Sequence, residues 1–119
     1  MCSSDLFALG TALESDRQWE SAATAYADAS RLKPDYSEAM YRHGRVLVQL
    51  KQHAAAVAPL QACLTVDPVH SRARALLIQT LQKVNRRSDA LALARETVTI
   101  SPRDPEALEL LKNLSDSEN

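Results

Sequence analysis

The sequence predicts an all-α fold, a solenoid of three helix-turn-helix repeats closed by a seventh helix. The first observation is that prolines recur at Pro34, Pro68 and Pro102, each 34 residues after the one before. The second is that each of these prolines follows an apolar run with helical spacing. The third is composition, since 119 residues contain only two glycines and five aromatic residues (Trp 1, Tyr 3, Phe 1), which favours helices over a strand-rich sandwich.

The proline spacing defines a repeat, and a fixed period of about 20 to 50 residues determines the architecture of a chain. Placing each proline at position 32 gives repeats at 3–36, 37–70 and 71–104 within a single domain, 1–119. Other positions then fall into register. Position 11 is always leucine, position 20 is always alanine, and position 8 is small in two repeats: Leu13, Leu47, Leu81; Ala22, Ala56, Ala90; Gly10, Gly44 and, as the exception, Ile78.

Each repeat is interpreted as two antiparallel helices, predicted at 4–15, 19–32, 38–49, 53–65, 72–84 and 88–99. Ser37, Ser71 and Ser88 are the expected N-caps, because serine oxygens accept hydrogen bonds from free amides at helix starts. The predicted core consists of the large residues at inward positions: Leu9, Leu13, Tyr26, Leu47, Leu60, Leu77, Leu81, Leu91, Leu108 and Leu111.

A seventh helix is predicted near 105–115. Asp104 followed by Pro105 is a strong helix start, since aspartate caps the first turn and proline suits the first helical position. Leucines at spacing three (Leu108, Leu111 and Leu114) are expected to face the array and cover its open end.

This pattern resembles the tetratricopeptide repeat (TPR) family. The residues that carry the resemblance in the first repeat are Leu6, Leu9, Gly10, Leu13, Ala22, Tyr26, Ala29 and Pro34. The third repeat is the loosest, because bulky Ile78 and small Ala94 reverse the usual sizes at positions 8 and 24, which we interpret as a volume exchange. The resemblance implies a right-handed superhelix whose first helices line a concave, peptide-binding surface.

Under that resemblance the inward positions of the first helices are the candidate binding residues. They are Phe7, Thr11, Tyr41, Arg42, Arg45, Arg72, Gln79 and Lys83. Arginine binds carboxylates in bidentate fashion and tyrosine combines apolar area with a hydroxyl, so both are frequent in interaction hot spots. The competing interpretation is that these side chains are simply solvated.

Charge indicates the chemistry of the partner. Residues 37–104 carry ten basic and five acidic side chains, whereas residues 1–36 carry three and six, and residues 105–119 carry one and four. A basic centre between acidic ends favours an acidic protein segment or a C-terminal carboxylate. The oligomeric state is left open by the sequence.

Catalytic chemistry is not expected. His43 and Cys63 occupy core positions of one repeat, but no orienting carboxylate accompanies them as a nucleophilic site requires. The sequence has no spacing of metal ligands and no glycine loop for phosphates, so no enzyme, cofactor or metal is predicted. The basic pair at 86 and 87 is too short for a nucleic-acid patch. Membrane association is not expected either. The sequence instead favours a soluble protein in the cytoplasm.

Two functional classes follow. The first is a protein-interaction scaffold that binds a peptide or protein segment, and the second is a regulatory or oligomerising fragment of a larger enzyme such as a transferase. TPR proteins that hold acidic chaperone tails use Lys, Asn and Arg at five positions of this surface. Here those positions are Phe7, Thr11, Arg42, Arg72 and Leu76. Of the three basic positions in that set only Arg72 remains basic, since Arg42 stands at an asparagine position, and this argues against a co-chaperone role.

Residues 1–6 carry an unusual signal. A common sequencing-adapter end, GTG TGC TCT TCC GAT CT, translates as Val-Cys-Ser-Ser-Asp-Leu, and an initiating GTG is translated as Met, which reproduces residues 1–6. We hypothesise that the reading frame begins inside an adapter on an environmental DNA read, and that native sequence starts near Phe7. Such residues would be left out of arguments about the fold.

Overall fold

The structure, a computed structural model, describes residues 2–116. These residues form seven α-helices and no strand. The helices are α1 (Ser3–Ser15), α2 (Trp19–Leu32), α3 (Ser37–Gln49), α4 (His53–Val66), α5 (Ser71–Lys83), α6 (Arg87–Ile100) and α7 (Pro105–Asp116). The all-α prediction and the order of helices are confirmed, with each predicted boundary within one residue of the observed one. Residues 3–6 form the first turn of α1, whereas Met1 and residues 117–119 of the predicted domain lie outside the described range.

The helices pack in chain order, each against the one before and the one after. The array is elongated, with extents of 49 × 25 × 20 Å. The first helices of successive repeats also touch, since Glu14 on α1 bonds Arg45 on α3, α3 contacts α5 and α5 contacts α7, so these four helices line one side. This is the TPR-like superhelix, and its first helices form the surface on which the candidate binding residues were predicted.

Close approach of the two helices within a repeat explains the small residues at position 8. A Cβ on Gly10 would lie 2.7 Å from Cε1 of Tyr26, and a Cβ on Gly44 would lie 2.6 Å from Cγ of Leu60. Real Cβ atoms do not approach other atoms so closely, so glycine is required here on grounds of space. In the third repeat Ile78 and Ala94 hold these two positions, and both are fully buried in the core.

The turn inside each repeat uses a left-handed residue at position 15. Arg17, Lys51 and Asn85 have φ angles of 59°, 65° and 62°. They are spaced by the same 34 residues as the prolines. Asparagine tolerates this region, whereas arginine and lysine hold it with strain.

Helix starts differ from the prediction. The N-caps of α3, α5 and α6 are Tyr36, His70 and Arg86, so the prediction of Ser37, Ser71 and Ser88 as caps is wrong. At α5 the imidazole Nδ1 of His70 accepts the hydrogen bond from the Ala73 amide, the task expected of a serine. Helices α3 and α5 begin at the predicted cap residue itself, and α6 begins one residue before it, so each serine lies in the first turn of its helix.

The start of α7 is as predicted. The carboxylate of Asp104 accepts hydrogen bonds from the amides of Glu106 and Ala107, at 3.0 and 3.4 Å. The helix continues the repeat register, because Ala107 is buried at position 3 as Ala39 and Ala73 are. It therefore corresponds to the first helix of a fourth repeat.

Most of the predicted core is confirmed. Six of the ten residues are buried: Tyr26, Leu47, Leu60, Leu77, Leu81 and Leu91. Leu13 and Leu111 are partly buried against the core. The prediction is wrong for Leu9 and Leu108, which are 39% and 44% exposed. Within the described residues no helix precedes α1 or follows α7, so each leucine lacks the neighbour that covers equivalent residues inside the array.

Candidate functional site

The first helices divide the eight candidate residues into three groups by exposure. Arg72, Gln79 and Lys83 on α5 are exposed, whereas Tyr41 is buried in the core. The other four are partly buried: Phe7, Thr11, Arg42 and Arg45. The structure brings the residues of α1 and α3 into one cluster and leaves those of α5 open to solvent.

Glu14 is the centre of that cluster. Its carboxylate accepts a hydrogen bond from the Tyr26 hydroxyl at 2.7 Å and another from the guanidinium of Arg45. The guanidinium of Arg42 is 4.0 Å from the same carboxylate. Glu14 is only 19% exposed, so these contacts are partly shielded from water. Glu14 thus links two arginines of the second repeat to Tyr26 in the core of the first repeat.

Glu38 adds a second carboxylate. It lies 3.9 Å from Nε of Arg42 and 3.5 Å from Nε2 of His70. The imidazole of His70 also packs on the Tyr41 ring, with 4.8 Å between ring centroids. Two arginines therefore face two carboxylates, and this half of the surface is balanced in charge.

Aromatic rings support the cluster from one side. Phe7 stacks on Tyr36 at 5.2 Å between centroids and meets Tyr26 at a tilt at 5.6 Å. The guanidinium of Arg42 lies 5.3 Å from the Phe7 ring, and that of Arg45 lies 5.7 Å from the Tyr41 ring. These are cation-π distances, so the rings as well as Glu14 fix the positions of both arginines.

The pKa values in the cluster follow from these contacts. Burial alone lowers the pKa of Arg45, but the charge of Glu14 and its hydrogen bond outweigh burial and raise it. Burial raises the pKa of Tyr26, and Glu14 adds to the effect. Both groups keep their protons at neutral pH, so the hydrogen bonds to Glu14 persist there.

The candidate residues of α5 form a line. The exposed Arg72, Gln79 and Lys83, with the half-buried Leu76 among them, recur at helical spacing along one side of the helix. At 1.5 Å per residue, the Cα atoms of Arg72 and Lys83 are about 16 Å apart. Neither of these two side chains has an ion pair or hydrogen bond among the described residues. The uncompensated positive charge of the surface therefore lies at the two ends of this line.

Glu14 is not among the eight candidate residues predicted from the sequence, although it occupies an inward position of the first helix. Glu14 and Arg45 are 31 residues apart and lie on helices of different repeats. The signal in the sequence was an acidic residue and two arginines at inward positions of adjacent first helices. That signal indicates proximity without telling which of several charges will pair.

A cavity of about 740 Å³ lies away from this surface, between α4 and α6. Its floor includes Arg74, whose guanidinium is buried and bonded to Thr97 and Glu96. The charges in its wall are paired, since Arg86 also binds Asp89 at 2.9 Å.

His43 and Cys63 do not have the properties of a catalytic pair. Burial raises the pKa of the Cys63 thiol to about 11, with the charges of Asp67 and Glu38 adding to it. Burial lowers the pKa of His43. Activation of a cysteine requires a depressed thiol pKa, and here the shift is in the opposite direction.

Among residues 2–116 no group of His, Cys, Asp and Glu could hold a metal ion. None of the described helices is both long and apolar enough to cross a bilayer.

The fold and this surface define a class, the TPR-like helical repeat domain, which is a non-catalytic type of domain. The chain belongs to the family described as bacterial transcriptional activator domain, whose profile matches residues 6–104. No curated protein matches the sequence significantly.

Solved structures support the fold assignment. The first TPR of Spaghetti (RPAP3), bound to the HSP90 peptide SRMEEVD, aligns with a TM-score of 0.84 at 14% identity, covering 97% of this chain and 91% of that one. The TPR2B domain of yeast Sti1, in complex with pHsp70, gives 0.80 at 17% identity and covers 97% of both chains. MamA from Desulfovibrio magneticus RS-1 gives 0.83 at 23% identity, covering 98% of this chain and 66% of that one.

Proposed function

We propose that this chain is the protein-binding module of a bacterial transcriptional activator and that it holds an acidic segment of another protein on its concave face. The observation that carries the proposal is the line of residues on α5, in which the exposed Arg72 and Lys83 have no partner among the described residues. The family supports the link to a transcriptional activator. Relatives of the same fold with peptides bound support the mode of binding.

The candidate residues then have different roles. Arg72 and Lys83 attract carboxylates, and Gln79 offers hydrogen bonds between them. Phe7 and Thr11 extend the surface on α1, and Tyr41 supports it from beneath. Arg42 and Arg45 are held by Glu14, so they shape the surface more than they attract the partner. The module is proposed to bind protein and to leave contact with DNA to other parts of the activator.

The binding experiment compares paired charge reversals. The probe is a fluorescein-labelled decapeptide of alternating Glu and Gly, with its Gln and Gly counterpart as the uncharged reference. Arg72→Glu with Lys83→Glu should remove binding of the acidic probe, because both open cations are lost. Arg95→Glu with Arg103→Glu is the matched control, since both side chains are exposed and neither forms an ion pair among the described residues.

Fluorescence anisotropy at low and high salt measures the outcome. Binding should weaken as salt rises, because exposed charges are screened beyond about 8 to 10 Å at physiological ionic strength. Equal loss in both double variants, or affinity that does not respond to salt, would overturn the proposed site. The double variant Arg42→Glu with Arg45→Glu is less informative. Each change places a negative charge next to Glu14, and the repulsion would disturb the cluster around Glu14.

The genomic reading frame tests the second part of the proposal. A frame that joins this module to a DNA-binding domain supports the activator. A frame that joins it to a transferase would contradict the activator and support the alternative raised by the sequence.

A further inference from the structure

Glu14 forms ion pairs with the two arginines at the centre of the concave face, Arg42 and Arg45. A carboxylate from the chain itself already lies against both Arg42 and Arg45. The Tyr26 hydroxyl, held in the core, donates to that carboxylate and fixes it in place. A carboxylate of an incoming segment would compete with Glu14 for the same arginines.

We propose that Glu14 is a specificity-determining residue of the concave face, which keeps the carboxylates of a partner off Arg42 and Arg45. The inference rests on the proposed binding of an acidic segment to this surface. A partner carboxylate that reaches the arginine pair must either replace Glu14 or lie beside it, against its negative charge. Replacing Glu14 exchanges one carboxylate for another and leaves the Tyr26 hydroxyl with only its longer contact to Thr11 Oγ1, at 3.4 Å, so it brings no net attraction.

On α5 a partner carboxylate does not have to displace a carboxylate of this chain. Arg72 and Lys83 are exposed and have no ion pair within the described residues, so a carboxylate there adds a new attraction. The partner that fits is therefore a segment with two charge regions. Its acidic part lies along α5, and the part that crosses α1 and α3 is uncharged.

Removal of the Glu14 charge tests the inference. Glu14→Gln keeps the size of the side chain and its capacity to accept a hydrogen bond, but leaves Arg45 without an ion pair and Arg42 with Glu38 alone, at 3.9 Å. The alternating Glu and Gly decapeptide should then bind about tenfold more tightly than to the parent, the effect expected of one additional charge-assisted hydrogen bond. Glu14→Ala provides a second route, because alanine suits a helix and also removes the charge.

The matched control is Glu96→Gln. Glu96 also neutralises an arginine, Arg74, at 3.2 Å, but is on the second helix of its repeat and 60% exposed. This variant has the same net charge as Glu14→Gln, so an increase in affinity caused by total charge would appear in both. In the triple variant Glu14→Gln with Arg42→Gln and Arg45→Gln, the increase should disappear.

The outcomes separate this inference from the proposed function. Tighter binding by Glu14→Gln alone, abolished in the triple variant, supports the role of Glu14. Equal affinity of Glu14→Gln and the parent, or an equal increase in Glu96→Gln, overturns it even if the α5 residues prove essential. Binding that does not depend on Arg72 and Lys83 instead overturns the proposed function, which the preceding charge reversals detect independently.

Discussion

Gly44 lies directly against Leu60, with only 2.6 Å between an ideal Cβ on the glycine and Cγ of the leucine. Leu60 is fully buried, so it cannot move away from an added methyl group. We expect Gly44→Ala to lower the free energy of unfolding by about 1 to 3 kcal/mol, despite the better helix propensity of alanine. Urea denaturation measures the change.

A double-mutant cycle tests the cause of that loss. Leu60→Ala makes room beside Gly44, so adding Gly44→Ala to it should be far less harmful than Gly44→Ala in the parent. If the two changes are additive, the loss does not come from contact between these residues.

Alanines at position 20 also allow the helices to approach. Ala56 is fully buried on α4. Ala56→Leu should overpack the second repeat and lower the free energy of unfolding by about 1 to 3 kcal/mol. Ala22→Leu should act similarly in the first. Ala58, on the same helix but exposed, supplies the control, and Ala58→Leu should change stability little. A thermal or urea midpoint that moves equally for Ala56→Leu and Ala58→Leu would argue against close packing at position 20.

The left-handed turn residue offers a stabilising change. Lys51 has a φ of 65°, a region that glycine adopts without the strain of a Cβ. Lys51→Gly should raise the free energy of unfolding by roughly 0.5 to 1 kcal/mol, the strain relieved being partly offset by the entropy of glycine in the unfolded chain. Gln61→Gly, inside helix α4 and exposed, should do the reverse. Destabilisation by both glycines would show that the turn is unstrained.

The buried thiol predicts a dependence of stability on alkaline pH. Burial raises the pKa of Cys63 to about 11, whereas an unfolded thiol ionises near 8.5 to 9. Because the folded state holds the proton more tightly, the contribution is complete below the unfolded pKa and is lost as pH rises towards the folded value. The free energy of unfolding should therefore fall more steeply in the parent than in Cys63→Ala between about pH 9 and 11. Parallel curves would mean that Cys63 ionises alike in both states.

The volume exchange in the third repeat shows how far sequence reasoning reached. Ile78 and Ala94 reverse the sizes of Gly44 and Leu60, and all four occupy the equivalent positions 8 and 24. The structure places Ile78 and Ala94 in the same buried core, as a volume exchange requires. A change at one position could be interpreted because the repeat itself identified its partner.

Exposure at the ends of the array could not be predicted in the same way. Leu9 and Leu77 both occupy position 7, yet Leu77 is 3% exposed and Leu9 is 39% exposed. The repeat pattern treats them alike. Their difference depends on whether a helix lies alongside, as α4 lies alongside α5, and the pattern of one repeat does not contain that neighbour.

The sequence by itself determined the helices, their pairing and the surface formed by the first helix of each repeat, because the 34-residue period and the helical spacing of apolar residues are local properties of the chain. The tertiary structure alone decided which charges on that surface are free. Glu14 pairs with Arg42 and Arg45 across a repeat boundary, while Arg72 and Lys83 are left open on α5. Ion pairing depends on a few ångströms between side chains of separate helices, and a spacing along the chain does not fix those distances.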